Sequence, residues 1–120
     1  MAKKVLIVED TADTRSFMKI LVEGYGYQVL EASDGEEAIK IAQHEPPDLI
    51  LMDLGIPTID GLTTTRVIRT FEEGATLPII ALTGYGIDNE QALEAGCNEL
   101  IFKPLDVDSL EHILNKYLAQ

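Results

Sequence analysis

The chain has 120 residues, the size of one ordinary domain, and 46% of them are hydrophobic, so it can build a core of its own. Nine lysine and arginine residues against 21 aspartate and glutamate residues give a formal net charge of −12, and nucleic-acid phosphates and anionic lipids repel such a surface. A single cysteine excludes an internal disulfide and a paired-cysteine metal site, and the apolar runs are too short to cross a bilayer.

The amino-terminal segment has the basic start of a signal peptide but not its long apolar stretch. Lys3 and Lys4 lead into an apolar run that Glu9 and Asp10 end too early. We therefore expect a cytoplasmic protein, folded as one domain over residues 1–120, that neither binds nucleic acid directly nor inserts into a membrane.

Five short apolar or β-branched runs predict five strands. In chain order they are Val5–Val8, Tyr27–Ala32, Leu49–Met52, Pro78–Leu82 and Leu100–Phe102. Four of the runs are almost continuously apolar, which is typical of strands covered on both faces. The run 27–32 is more mixed, so we expect it at an edge of the sheet.

Helical spacing of apolar residues fills the gaps between these runs. Phe17, Ile20 and Leu21 share one face of the first predicted helix, and Asp34 is a candidate N-cap of the second. The segment 84–96 predicts the weakest helix, which we expect to be the most mobile element. The last helix is marked by the candidate N-cap Asp106 and by an apolar stripe of Leu110, Ile113, Leu114, Tyr117 and Leu118. Alternating strands and helices predict a doubly wound α/β fold, in which five helices flank a five-stranded parallel sheet.

Charged and polar residues end four of the predicted strands. Glu9 and Asp10 follow the first run, Asp53 the third, Thr83 the fourth and Lys103 the fifth. Ligands of open α/β sheets bind beyond the carboxyl ends of the strands, so these side chains are expected to meet at one edge. Each residue alone is more often a loop or surface residue, but the coincidence at four strand ends favours a site.

The carboxylates of this group predict a magnesium site. Crowded carboxylates repel one another, and Mg²⁺ is a hard cation that relieves this repulsion and prefers oxygen ligands. Asp10 and Asp53 are the expected direct ligands, and Glu9 is expected to act through a water. Lys103 then offers a positive charge and Thr83 a hydroxyl donor to a phosphoryl group on Asp53.

The sequence resembles the receiver domains of two-component response regulators, the CheY-like superfamily, over essentially its whole length. The resemblance rests on the segments 5–10 (VLIVED), 47–53 (PDLILMD) and 78–83 (PIIALT), on Pro57 with Asp60-Gly61, and on Lys103-Pro104. It implies a flavodoxin-like fold with strand order 2-1-3-4-5 and a stand-alone, single-domain regulator whose output is made through protein contacts.

The resemblance also implies roles for individual residues. Asp53 accepts phosphate from a sensor histidine kinase or a histidine phosphotransfer domain. Glu9 and Asp10 hold Mg²⁺ together with the carbonyl of Gly55. Thr83 and Lys103 bind the phosphoryl oxygens, and the peptide bond before Pro104 is cis. The phosphorylated protein switches the face of the fourth and fifth strands and helices, which a downstream protein reads.

Several positions depart from the usual receiver pattern. Leu100 stands three residues before Lys103, where receivers often carry an inward-rotating aromatic residue. Phe102 is expected to pack in the core instead of replacing that ring. The fourth helix is expected to be short or irregular. Gly55 has no side chain with which to orient a water, so Tyr85 is expected to shade the site and govern hydrolysis of the phosphate.

A diffusible effector is one of several possible functions of such a protein. A relay intermediate and a phosphate sink would both use the same chemistry. An aspartate-nucleophile phosphatase commonly needs an acid two residues after the nucleophile, where Gly55 stands. A flavin carrier needs a phosphate-binding loop after the first strand, where the acidic segment 9–13 would repel a phosphate.

Overall fold

Five β-strands alternate with five α-helices in the computed structural model, which describes residues 2–84, 86–87 and 89–119. The strands are β1 Lys4–Val8, β2 Gln28–Ala32, β3 Leu49–Asp53, β4 Ile79–Thr83 and β5 Glu99–Phe102. The helices are α1 Ala12–Gly24, α2 Gly35–His44, α3 Gly61–Arg69, α4 Asn89–Ala95 and α5 Val107–Leu118. Over the described residues, no helix combines the length and the apolar character that a membrane span requires.

The strands form one parallel sheet in the order β2-β1-β3-β4-β5, so the predicted fold class and strand order are confirmed. β2 lies at one edge and is less buried than β1, β3 and β4, as its mixed sequence predicts. All five strands run in the same direction, and their register pairs Val8 with Met52 and Thr83 with Phe102. The carboxyl ends of the strands therefore lie along one edge of the sheet.

Helices cover both faces of the sheet, and the core is accordingly divided into two layers. Successive side chains of a strand point to opposite faces, so Ile50 packs on the side of α2, α3 and α4, and Leu51 on the side of α1 and α5. Both residues are fully buried. This double cover explains why the central strands are apolar at consecutive positions instead of alternating positions.

Aspartate N-caps fix the starts of three helices. Asp34 accepts a hydrogen bond from the backbone N–H of Glu37 at 2.8 Å, and Asp106 accepts one from Ser109 at 2.7 Å, as the sequence predicts. Asp60 caps α3 in the same way. Each cap satisfies a backbone donor that has no partner within its helix, a contribution of about 1 kcal/mol.

The face of α1 that carries Phe17 and Ile20 points away from the sheet. Met18 and Val22 pack on the sheet instead, and Phe17 is 54% and Ile20 68% exposed. One sequence-based expectation about an apolar residue is wrong. Phe102, which the sequence places in the core, is 59% exposed. It is the last residue of the edge strand β5, where only one neighbouring strand lies beside it.

The loop between β3 and α3 contains a strained residue. Thr58 has a φ of 64°, a left-handed conformation that costs a residue with a Cβ about 1–2 kcal/mol. Its hydroxyl accepts a long hydrogen bond of 3.4 Å from the backbone N–H of Glu36, so the strained loop is joined to the first turn of α2.

Thr58→Gly is expected to be more stable than Thr58→Ala by about 1 kcal/mol. Both substitutions remove the hydroxyl, so the difference between them reports the left-handed backbone and not the lost hydrogen bond. Urea unfolding of the two variants measures this difference. Equal unfolding midpoints would show that the backbone at this position is not strained.

Candidate functional site

The parallel sheet brings the predicted site residues together at the carboxyl ends of its strands. Asp53 ends β3 and Thr83 ends β4, whereas Glu9 directly follows β1 and Lys103 directly follows β5. The Lys103 ammonium lies 2.9 Å from Asp53 Oδ2 and 3.2 Å from Glu9 Oε1. Residues that are far apart in the sequence therefore share one ion-pair network.

Three carboxylates form the acidic side of this network. Glu9, Asp10 and Asp53 each offer one oxygen, and these oxygens all lie within 4.8 Å of one another. Glu9 and Asp53 are buried, whereas Asp10 is exposed at the mouth of the site. Burial raises the pKa of Glu9, and the charge of Asp53 adds to this rise, against the opposing effects of Lys103 and the backbone N–H of Thr11.

The donor set suits a hard divalent cation. Three carboxylates and one ammonium leave a formal charge of −2, which Mg²⁺ would neutralise, and all three carboxylates supply the oxygen ligands that Mg²⁺ prefers. The exposure of Asp10 leaves room for the waters that Mg²⁺ retains. The residues present therefore fit the predicted metal.

Lys103 carries the positive charge of the site. Its partial burial alone would lower the pKa of its ammonium, but the hydrogen bonds and charges of Asp53 and Glu9 outweigh that effect and raise it. The group is therefore charged at neutral pH. The backbone N–H of Lys103 donates to the Thr83 carbonyl at 2.7 Å, and the following peptide bond to Pro104 is cis, as the family resemblance implies.

The Asp53 carboxylate is held at both of its oxygens. Oδ1 accepts a hydrogen bond of 3.0 Å from the backbone N–H of Gly55, and Oδ2 accepts the one from Lys103. Gly61 lets α3 approach this strand end closely, since a Cβ there would come within 2.5 Å of the Leu54 Cα. The start of α3 therefore packs directly against the backbone that carries Asp53.

An open cleft of about 510 Å³ lies over these groups. Thr83 is buried and lines the cleft together with Glu9, Asp10, Asp53, Gly55 and Lys103. Thr11 and Ile87 also line it, although no motif in the sequence points to them. The Thr11 N–H donates to Glu9 Oε2 at 3.0 Å, a contact made by a backbone group that no side-chain motif reveals.

One predicted residue, Leu100, stands apart from this cleft. Leu100 is half-buried in β5 and packs against the core layer of α2, α3 and α4, and it does not line the cleft. Tyr85 lies outside the described residues, so its expected role at the site stays a prediction.

A second, largely apolar cavity of about 400 Å³ adjoins the acidic cleft. The two cavities share Glu9 and Lys103. The apolar part of its lining comes mainly from one helix and one loop: Phe17, Met18 and Leu21 on α1, and Pro104 and Leu105 after β5. Exposed apolar surface therefore lies directly beside the candidate reaction site, and Ile20, three residues after Phe17 on α1, is exposed as well.

Comparison with known proteins gives concordant matches. A model of the response regulator receiver domain matches residues 5–115. The chain is 35% identical to the polar-differentiation response regulator DivK of Brucella ovis, over 99% of this chain and 98% of that protein.

Two solved structures relate the fold to this chemistry. The receiver domain of the sensor histidine kinase PA1611 of Pseudomonas aeruginosa, solved with a magnesium ion coordinated in its active-site cleft, is 34% identical with a TM-score of 0.91 over 100% of both chains. The second match lies in the co-crystal structure of the Saccharomyces cerevisiae histidine phosphotransfer protein Ypd1 with the receiver domain of its downstream response regulator Ssk1. It has 27% identity and a TM-score of 0.89, over 97% of this chain and 88% of that one.

Glu9→Gln is expected to remove a pH-dependent loss of stability when no Mg²⁺ is added. The Glu9 pKa is raised in the folded chain, so the folded state binds the proton more tightly than the unfolded state does. The wild type should therefore lose stability relative to Glu9→Gln as the pH rises from the ordinary value of 4.5 through the raised pKa. Urea unfolding across this pH range measures the effect.

Asp13→Asn provides the control for this experiment, because Asp13 is an exposed carboxylate in the first turn of α1. Its stability should follow that of the wild type across the pH range. Parallel curves for the wild type and Glu9→Gln would contradict the expected role of the buried carboxyl.

Proposed function

Because the chain belongs to the family of response regulator receiver domains, we propose that Asp53 accepts a phosphoryl group from a phosphohistidine on a partner protein and that this modification switches a protein-binding surface. The observation that carries the proposal is the position of the Asp53 carboxylate. It is buried at the strand ends, held by Gly55 and Lys103, and lies within the three-carboxylate cluster.

The transfer forms an acyl phosphate on Asp53. One carboxylate oxygen of Asp53 attacks the phosphorus atom, an O–P bond forms, and the N–P bond of the phosphohistidine breaks. The electron pair of that bond stays on the imidazole nitrogen, which then takes up a proton. The Asp53 oxygens are fixed before the reaction, so little reorganisation is needed to align them.

Glu9, Asp10, Asp53 and the carbonyl of Gly55 would hold Mg²⁺ in this site. When bound, the ion supplies positive charge that lets a dianionic phosphoryl group approach the carboxylates. The Lys103 ammonium contacts Asp53 Oδ2 at 2.9 Å. Once Oδ2 carries the phosphoryl group, the ammonium would bind a phosphoryl oxygen. Thr83 lines the same cleft and would donate its hydroxyl to another oxygen.

The switch is proposed to act through β4, α4, β5 and α5. Thr83 ends β4 and pairs in register with Phe102 of β5. A shift of Thr83 toward a phosphoryl oxygen would therefore move the end of β5 as well. α4 has only seven residues and is the shortest of the helices in the described chain. Leu100 has no hydroxyl, so it would respond to the shift of Thr83 only through a change in its packing. The ring of Phe102 is exposed and would lie on the surface that a target contacts.

The apolar cavity beside the cleft supports a protein as the phosphodonor. A small phosphodonor needs no apolar surface, whereas a helix of a histidine-bearing partner would bury the exposed side chains of Phe17 and Ile20 while it presents its imidazole to Asp53. The partner would be a sensor histidine kinase or a histidine phosphotransfer protein. Effector, relay intermediate and phosphate sink all use this same step.

Incubation with Mg²⁺ and acetyl phosphate is expected to add one phosphoryl group, measured by intact mass. Asp53→Asn should remain unmodified, and Asp13→Asn should be modified like the wild type, because Asp13 is exposed and outside the cluster. Chelation of Mg²⁺ should suppress the adduct. An adduct that persists in Asp53→Asn would exclude Asp53 as the acceptor, and release of phosphate over many turnovers would favour a phosphatase.

Ile20→Glu is expected to slow phosphoryl transfer from a histidine phosphotransfer protein about tenfold, the usual effect of losing one well-placed interface side chain. Its reaction with acetyl phosphate should be unchanged, because Ile20 lies outside the acidic cleft. The assay uses a phosphorylated donor already shown to react with the wild type.

Leu93→Glu is the matched control, since Leu93 is 49% exposed on α4 and far along the chain from α1. It should accept phosphate from the protein donor at the wild-type rate. Equal slowing of both variants would argue against a donor surface on α1.

A further inference from the structure

Arg15 joins the loop of the candidate metal ligands to the edge strand of the sheet. It lies in the first turns of α1, and its side chain is only 21% exposed. Its Nη1 donates to the backbone carbonyl of Glu9 at 2.8 Å, and its Nε donates to Glu31 Oε1 on β2 at 3.2 Å. One guanidinium therefore spans α1, β2 and the residue that follows β1.

The carbonyl that Arg15 binds belongs to the peptide between Glu9 and Asp10. This peptide unit is planar, so fixing its oxygen also fixes the direction in which the chain enters Asp10. The preceding peptide is fixed as well, since the Glu9 N–H donates to the Ala32 carbonyl at 3.0 Å. Arg15 thus completes the restraint of the backbone that carries two of the three carboxylates.

The side chains of this loop differ in how they are held. Glu9 accepts hydrogen bonds from the Thr11 N–H and from Lys103, so its carboxylate has anchors of its own. Over residues 2–84, 86–87 and 89–119, no hydrogen bond or ion pair fixes the carboxylate of Asp10. The direction of that carboxylate therefore depends on the backbone, and the backbone depends on Arg15.

We propose that Arg15 is a positioning residue that aims Asp10 at the divalent cation, an inference that rests on the proposed function of the carboxylate cluster. The guanidinium contacts the Glu9 carbonyl and Glu31, and not the carboxylates that would hold the cation. It acts by holding the Glu9 carbonyl, and Glu31 holds the guanidinium in turn.

Positioning and simple charge effects predict opposite signs. Arg15 is a cation near three carboxylates, so removing its charge alone would strengthen the binding of Mg²⁺. Removing its hydrogen bond to Glu9 would free Asp10 and weaken binding. Groups that orient metal ligands typically change metal affinity by about 10–100-fold, and we expect the lower end here because Asp10 remains present.

Calorimetric titration with Mg²⁺ tests the inference on the full chain. Arg15→Ala is expected to raise the Mg²⁺ dissociation constant about tenfold. Arg15→Lys keeps the charge but loses the planar fork that reaches two acceptors, so it should also weaken binding. If Arg15→Ala does not fold, as judged by circular dichroism, Arg15→Lys alone decides the outcome. Mg²⁺ binding at or below the wild-type dissociation constant in the folded variants would overturn the inference.

Lys19→Ala is the matched control. Lys19 is the other cation on Glu31, at 3.4 Å, and it makes no contact with the Glu9 carbonyl. Its removal takes away the same charge as Arg15→Ala without removing the positioning contact. Lys19→Ala should bind Mg²⁺ within about twofold of the wild type, and weakening in Lys19→Ala equal to that in Arg15→Ala would overturn the inference.

A kinetic readout separates positioning from general damage. With acetyl phosphate, Arg15→Ala should need about ten times more Mg²⁺ for half-maximal phosphorylation but should approach the wild-type rate at saturating Mg²⁺. A lower maximal rate with an unchanged Mg²⁺ requirement would contradict the assignment. Failure of the wild type to bind Mg²⁺ would overturn the proposed function together with this inference, whereas normal binding in every variant would overturn this inference alone.

Discussion

The ion pair between Lys103 and Asp53 crosses the sheet at the level where its strands end. The two residues belong to the ends of β5 and β3, with β4 between them, so the 2.9 Å contact is made over a neighbouring strand and not along one. Asp53 is buried, and without the ammonium its charge would lie in a poorly solvated place beside Glu9. Lys103 therefore stabilises the buried carboxylates, and its single positive charge leaves the group of three carboxylates with a formal charge of −2, which suits a divalent cation.

The rest of the molecule supplies a rigid base for this arrangement. The central strands β3 and β4 are buried along their whole length, and the core therefore holds the strand end that carries Asp53 in place. Asp60 caps the start of α3, and Gly61 lets that start pack closely against the end of β3. The strained Thr58 and the crowded carboxylates lie at or beyond strand ends, where the stability of the two-layered core can offset their cost.

Much of the fold and most of the cleft could be predicted from the sequence because both depend on abrupt changes in polarity. An apolar run such as 49–52 that ends in Asp53 marks the strand and its end at once, and parallel strands carry such ends to one edge. The rotation of α1 could not be predicted in this way, since Phe17, Met18 and Leu21 are all apolar and tertiary packing decides which of them face the sheet. Backbone contacts such as Thr11 to Glu9 leave no side-chain signature at all.

The outward-facing apolar side chains of α1 lie beside the candidate site. A helix that turns Phe17 and Ile20 outward leaves apolar surface in water, which does nothing for the isolated fold. Phe17 lines the cavity that shares Glu9 and Lys103 with the acidic cleft, and Ile20 is one helical turn further along α1. α1 thus makes three kinds of contact. Met18 and Val22 hold it on the sheet, Arg15 ties it to the loop of carboxylates, and its outer apolar residues lie where the proposed donor would bring its imidazole. A partner that binds this helix would press on the element proposed to orient Asp10, so donor docking and metal binding are expected to be coupled through α1.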